Sequence, residues 1–270
     1  LAEIVELSQT QPVLVEREGP VHRLTLSAPP ANALSIRMME ALRAALAEAA
    51  ADPACRVVVI AGEGRVFCAG HDLKEMTAHR ADDDGGRAFF DRTMRLCADL
   101  MQDIVRHPRP VIAEIGGVAT AAGIQLVASC DLAIASEEAT FATPGVNIGL
   151  FCSTPMVALS RNLAPKHAME MLLTGETIDA RSAREFGLVN RVVPPQYLPT
   201  IVHKYTSSIA AKSAVTVKIG KEAFYRQSEM GLAEAYDYAA GVMVENMMAR
   251  DAEEGISAFI EKRKPDWRNE

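Results

Sequence analysis

The chain has 270 residues, 49% of them hydrophobic and 23% charged, which suits one large globular domain, or one with a smaller appendage. Its net charge of −7 argues against nucleic acid or an anionic membrane as partner, and no apolar run approaches the roughly 18 residues of a bilayer span. The five cysteines (Cys55, Cys68, Cys97, Cys130, Cys152) are widely spaced without a CxxC pair, and the histidines form no HxxxH pair, so neither a disulfide framework nor a metal site is expected.

A reducing compartment follows from that cysteine usage. The opening LAEIVELSQTQ has neither a signal-peptide pattern nor the Arg-rich, acid-poor pattern of a transit peptide. A cytoplasmic location is expected, with the mitochondrial matrix as the alternative for a eukaryotic chain whose leader has been removed.

Residues 13–16 and 21–26 flank Gly19-Pro20 and read as a hairpin. Pro29-Pro30 breaks the chain. Met38, Leu42, Leu46 and Ala49 then recur at helical spacing until Asp52-Pro53 ends the helix. RVVVIA (56–61) has the composition of a buried strand. GEGRVFCAGHDLKEM (62–76) runs from that strand through a glycine-containing loop into a short helix. Its GxG lacks the third glycine, where Phe67 stands, so the dinucleotide fingerprint fails. HRADDDGGR (79–87) reads as an exposed loop, because its aspartates lack EF-hand spacing and the closing Glu. Phe90, Met94, Cys97, Met101 and Ile104 mark one face of the helix that follows, which 107–110 stops.

An apolar strand at 110–115 delivers GGVATAAGIQLVASCD (116–131), in which small residues fill almost every position up to Gly123. A helix starting there offers unpaired N–H groups that can hold an oxyanion or a polarised carbonyl; the same run also fits plain close packing of helix on sheet. A further strand at 131–135 makes strand, small-residue loop and helix recur three times. That repetition suits a spiral of ββα turns and also a doubly wound sheet. The turn-rich FATPGVNIGLFCST (141–154) leads to a helix near Thr154-Pro155.

From Pro165 the signal is helical, over 166–173, 180–186, 196–211, 215–226 and 232–249. Pro194-Pro195 divides an α/β core, 1–194, from a helical region, 195–270. Met243, Met247 and Met248 form an apolar stripe that fits packing on a neighbouring subunit or on the chain's own core. GISAFIEKRKPDW (255–267) concentrates Lys262, Arg263 and Lys264, as a solvated helix end or as an anion-binding arm.

FCAGHDLKEM, HPRPVIAEIGGVATAAG, CDLAIAS, AMEMLLTGETIDARSAREFGLVNRVVP and AFIEKRK follow one another in this order. Together they resemble the crotonase, or enoyl-CoA hydratase/isomerase, family along almost the whole chain. The resemblance implies an α/β fold, a crotonase-like spiral of ββα turns with a helical C-terminal trimerisation region, often assembled as a dimer of trimers. It implies an acyl-CoA thioester from fatty acid metabolism as ligand, coenzyme A being part of the substrate and no separate cofactor being needed. It also implies two backbone N–H donors to the thioester carbonyl, at Ala69 and Ala122. Ala69, Gly70, His71 and Asp72 would lie along the CoA, and Phe259 and Lys262 would meet its nucleotide. Two fixed donors suit this chemistry, because the carbonyl oxygen gains negative charge as an enolate forms.

The hydratases of that family carry two glutamates, and at their positions this chain has Gln125 and Gly145. An amide orients water but is no general base near neutral pH, and glycine offers no side chain. Each such group is typically worth about 10²–10⁴ in rate, so efficient standard hydration is not expected. His71 is the substitute whose ordinary pKa suits proton transfer. Cys152 and Ser153 would border the acyl pocket that the resemblance implies, without an evident base to activate them, and Asp72 and Glu75 read as capping or pairing groups on the short helix. No G-x-S-x-G supports a serine-protease arrangement. The expectation is an acyl-CoA-binding enzyme, a lyase or isomerase stabilising a thioester enolate. The alternative is a non-catalytic acyl-CoA-binding or structural crotonase-fold protein.

Overall fold

The computed structural model describes residues 11–269; the reading of residues 1–10 lies outside them. The hairpin forms as β1 (Val13–Glu18) and β2 (Val21–Leu26), antiparallel with Val13 opposite Leu26. From β2 a parallel ladder runs through β3 (Val57–Gly62), β5 (Val111–Ile115), β7 (Leu132–Ser136) and β10 (Arg191–Val193), completing a six-stranded sheet. Parallel strands buried on both faces read as continuous apolar runs, which is why β3 and β5 were legible.

Four shorter strands make a second sheet: β4 (Val66–Cys68), β6 (Val118–Thr120), β8 (Thr140–Ala142) and β9 (Ile178–Asp179). A strand of the first sheet, a strand of the second and a helix therefore follow one another three times. The helices closing these turns are α2 (Leu73–Ala78), α4 (Ala122–Ser129) and α5 (Pro155–Asn162). This alternation between sheets is the ββα spiral; a doubly wound single sheet is not what forms.

Helix α1 (Ile36–Ala51) begins where Ser35 Oγ accepts from Met38 N–H (3.1 Å), and it buries Met38, Leu42, Leu46 and Ala49. Helix α3 (Arg87–Val105) starts where the acidic loop ends, with one turn of 3₁₀ helix inside that loop at His79–Ala81. Its buried face is Thr93, Cys97, Leu100, Met101 and Ile104, whereas Phe90 and Met94 are only half-buried. The expected apolar stripe is thus rotated, because Leu100 rather than Met94 points to the core.

Helices α6 (Pro165–Thr174) and α7 (Ala180–Phe186) close the core, and α8 (Leu198–Ala210) covers the outer face of the first sheet. There Leu198 and Val202 pack with Val57, Val59, Ile112 and Ile134. Beyond lie α9 (Ala214–Gln227), α10 (Leu232–Met248) and α11 (Arg250–Glu261). Helices α9 and α10 bury no residue in the single chain, and Met243, Met247 and Met248 are exposed, so that stripe does not pack on the chain's own core. What ties α9 down is polar. Lys221 Nζ donates to Asp131 Oδ2 (2.7 Å) and to the carbonyls of Ile104 (3.1 Å) and Arg109 (3.2 Å), and Tyr225 Oη donates to Asp131 Oδ1 (3.0 Å).

Candidate functional site

Two chain segments meet at the end of β4. Residues 31–34 run beside 69–71: Ala69 N–H donates to Ala31 C=O (3.0 Å), Leu34 N–H donates to Gly70 C=O (2.8 Å), and Leu34 bridges His71. The turn that delivers residues 31–34 is held by buried Asn32, whose Nδ2 donates to the carbonyls of Glu63 (3.0 Å) and Val66 (2.6 Å). The Ala69 amide is therefore occupied within the fold. Among the described residues the His71 N–H has no partner, so the free donor of this segment lies two positions beyond the expected one.

The second segment is the entry to α4. Ala121 has φ 50° and ψ −118°, a backbone state that L-residues rarely adopt and that costs on the order of 1–3 kcal/mol. It is over-determined by its surroundings: Ala121 N–H donates to Ala142 C=O (3.0 Å) in the second sheet, and its C=O accepts from Gln125 N–H (3.2 Å) in the first helical turn. The peptide between Ala121 and Ala122 is thereby turned so that the Ala122 N–H, at the start of α4, makes no bond among the described residues. Gly70 lies directly against it. A Cβ on Gly70, which has φ +90°, would fall 3.1 Å from Ala122 N and 2.9 Å from Ala121 Cβ. The structure thus brings the His71 and Ala122 segments together, and a glycine is what permits it.

Around this pair the side chains offer little acid–base chemistry. Burial pushes the His71 imidazole down to about 4, and its Nε2 is buried without a hydrogen-bond partner. The expectation that His71 titrates in the range useful for proton transfer is corrected accordingly: desolvation keeps the ring neutral. Asp72 Oδ1 caps α2, accepting from Lys74 N–H (2.9 Å) and Glu75 N–H (3.1 Å), and Glu75 accepts from Ile36 N–H (3.2 Å).

Gln125 is buried on α4, with its Oε1 accepting from the Cys97 thiol (3.8 Å). Gly145 sits buried in the 3₁₀ turn Pro144–Ile148. A Cβ there would fall 2.6 Å from Leu150 O and 2.9 Å from Cys152 Sγ, so the chain after the turn has closed the space a side chain would need. Burial pushes the thiols of Cys68 and Cys97 up to about 12 and raises that of Cys152, which leaves them poor nucleophiles. No group of residues among those described could hold a metal ion.

The enoyl-CoA hydratase/isomerase family model matches residues 16–270. The chain belongs to the enoyl-CoA hydratase/isomerase family. It is 45% identical over 262 residues to enoyl-CoA hydratase domain-containing protein 3, mitochondrial, of Xenopus laevis, covering 97% of this chain and 87% of that protein. Its human counterpart is 43% identical over 264 residues, covering 97% and 86%. Among solved structures, an enoyl-CoA hydratase of Mycobacterium smegmatis superposes with a TM-score of 0.91 at 50% identity, covering 95% of this chain and 98% of that one. Human enoyl-CoA hydratase domain-containing protein 3 superposes at 0.90 and 43%, covering 95% and 100%. These likenesses carry the crotonase fold and the family, and acyl-CoA thioesters are the substrates of that family.

Phe259 and Lys262, the tail positions expected at the CoA nucleotide, are exposed at the end of α11, and Lys262 takes a left-handed conformation with φ 57°. Within the single chain neither makes a hydrogen bond to the 69–72 segment. Three features were missed from sequence: the His71 amide in place of Ala69, the strained Ala121 peptide, and the closure behind Gly145. The first two depend on contacts between segments remote in the chain, and the third on the folding back of the turn that follows Gly145, which leaves no periodic pattern.

Proposed function

We propose that the protein binds an acyl-CoA thioester and stabilises its enolate between the His71 and Ala122 backbone N–H groups, with a catalytic complement other than the two glutamates of ordinary hydratases. The observation that carries this reading is the pair of adjacent amides left without a partner inside a well-bonded fold. An open first N–H of a helix with a second unpaired amide on the segment packed against it marks a place for an acceptor. Losing one donor of this kind costs about 10²–10³ in rate. Gln125 is left to orient a ligand or water, and Gly145 contributes shape alone. A homotrimer or dimer of trimers is the assembly proposed; the exposed Leu232, Tyr236, Met243, Val244, Met247 and Met248 of α10 support it.

A non-catalytic acyl-CoA binder is the second reading, favoured by the closed space behind Gly145. A two-part assay decides between them. Calorimetric titration with a saturated acyl-CoA should give measurable binding; none at high micromolar ligand refutes the site. Crotonyl-CoA absorbance should then change far more slowly than with an ordinary hydratase, and comparable turnover refutes the deduction drawn from Gln125 and Gly145. Complete inertness toward a panel of acyl-CoA thioesters that bind would select the second reading.

A further inference from the structure

Helix α11 carries Phe259 and Lys262, yet within the chain it buries only Asp251 and Ala258. Apolar packing does not fix where its C-terminal end lies. A return segment does. After the left-handed turn at Lys262 the chain runs back along α11. Arg263 forms a two-pronged pair with Glu254 (2.5 and 2.8 Å), and Asp266 N–H donates to the same carboxylate (2.8 Å).

The tip of the strap docks on the junction of α8 and α9. Trp267 Nε1 donates to Ala211 C=O (2.9 Å), and the indole lies on Gly255, where a Cβ would come within 3.1 Å of the ring. The buried Asp251 carboxylate accepts from the N–H groups of Arg268 (2.8 Å) and Asn269 (3.0 Å). The Asn269 side-chain oxygen accepts from Ala214 N–H (3.0 Å) and from Arg56 (3.0 Å), the residue that leads into β3. Arg56 also donates to Lys212 C=O. The residue at the entry to β3 is thus joined through residues 263–269 to the helix that ends at Lys262.

We infer that residues 263–269 are a clasp whose Trp267 and Asn269 position the end of α11, and with it Lys262, for the nucleotide of the CoA ligand. This rests on the acyl-CoA reading above and extends it to residues that touch no ligand themselves. Trp267 and Asn269 act through Lys262, so their removal should matter only for a ligand that carries the nucleotide.

The test compares acetyl-CoA with S-acetylpantetheine, which has the same thioester and arm without the nucleotide, by calorimetric titration of the full chain. Asn269→Ala removes the link to Arg56 and Ala214, and Trp267→Phe keeps a ring while deleting one donor. Both variants are checked for assembly mass and thermal unfolding. Each should weaken acetyl-CoA binding on the order of ten-fold, the worth of one charge-assisted contact, and leave acetylpantetheine unchanged. Trp267 is the only tryptophan of the chain, so release of the strap in Asn269→Ala should red-shift its fluorescence. Lys262→Ala should show the same selective loss, and Lys262→Ala/Asn269→Ala no more than the single variants. Equal loss for both ligands, no loss for either, unshifted fluorescence or additive losses would each overturn the clasp. Wild-type protein that binds neither ligand refutes the acyl-CoA site, and the clasp with it. Wild-type binding of both ligands with equal affinity overturns the clasp alone.

Discussion

Restoring a side chain at Gly145 is the sharpest perturbation of the site. The Cβ of Gly145→Ala would fall 2.6 Å from Leu150 O and 2.9 Å from Cys152 Sγ, closer than Cβ atoms approach other heavy atoms. The nearer contact is backbone, held by Leu150 N–H donating back to Gly145 C=O (2.9 Å), so the turn must move as a unit. Overpacking of this kind costs about 1–3 kcal/mol. For a chain of this size that corresponds to a fall in Tm of roughly 2–12 °C, read by thermal unfolding. Cys152→Ala relieves the sulfur contact but not the carbonyl one, so Gly145→Ala/Cys152→Ala should recover less than half of the loss. For the same reason Gln125→Glu/Gly145→Glu should not create an efficient hydratase. A Gly145→Ala protein that melts with the wild type, or a folded double-glutamate variant that hydrates crotonyl-CoA rapidly, would refute this account of the pocket.

Gly70→Ala should cost about 1–3 kcal/mol, because φ +90° and the 2.9 Å approach to Ala121 Cβ both oppose a side chain, and calorimetry should show acyl-CoA binding lost with it. The His71 imidazole is held at about 4 by burial, below its unfolded value of about 6.5. Its contribution to stability is therefore complete above about pH 6.5 and is lost as pH falls toward 4, at up to about 1.4 kcal/mol per pH unit. Urea midpoints for His71→Gln should fall less steeply over that window than those of the wild type; parallel curves would contradict the assignment. Asp131→Ala strands the Lys221 ammonium, which is 7% exposed, and should destabilise the protein by about 3–5 kcal/mol in denaturant unfolding.

The parts of the fold that the sequence disclosed are those with a local periodic signature. β3, β5 and β7 appear as apolar runs, and α7 begins and ends where its pattern does, between the Asp179 cap and Gly187. The second sheet was not legible, since strands of two or three residues such as β4, β6 and β9 are too short to show alternation. Helix α11 begins at Arg250, in a stretch for which no helix start was expected, because Asp251 and Glu253 favour a first turn that the apolar pattern does not mark. The unpaired amide at Ala122 lies where its small neighbours in the sequence suggest an open helix start. The Ala69 amide, expected to be open, is instead bonded to Ala31, thirty-eight residues earlier, a contact no local pattern announces.

Close packing and oxyanion binding were alternative explanations for the small residues at 116–131, and the glycines show that close packing is present and leave the proposed oxyanion role compatible with it. A Cβ on Gly117 would fall 1.9 Å from Arg65 O, and one on Gly123 would fall 2.0 Å from Cys68 O. Both glycines are required by β4 passing directly against this stretch. That contact fixes the start of α4 beside Gly70, and so sets the Ala122 amide next to that of His71. Ala121 is the exception: it takes a positive φ where glycine would be free of strain. The added Cβ limits the conformations open to that peptide, so the Ala122 N–H is held in place before any ligand arrives. A donor fixed in advance stabilises developing charge without reorganising, which is where such sites gain most of their effect. Ala121→Gly should therefore leave the fold as stable or more so, while increasing the freedom of the Ala122 peptide and weakening acyl-CoA binding. Tighter binding by Ala121→Gly would show that the strain opposes the ligand instead of preparing for it.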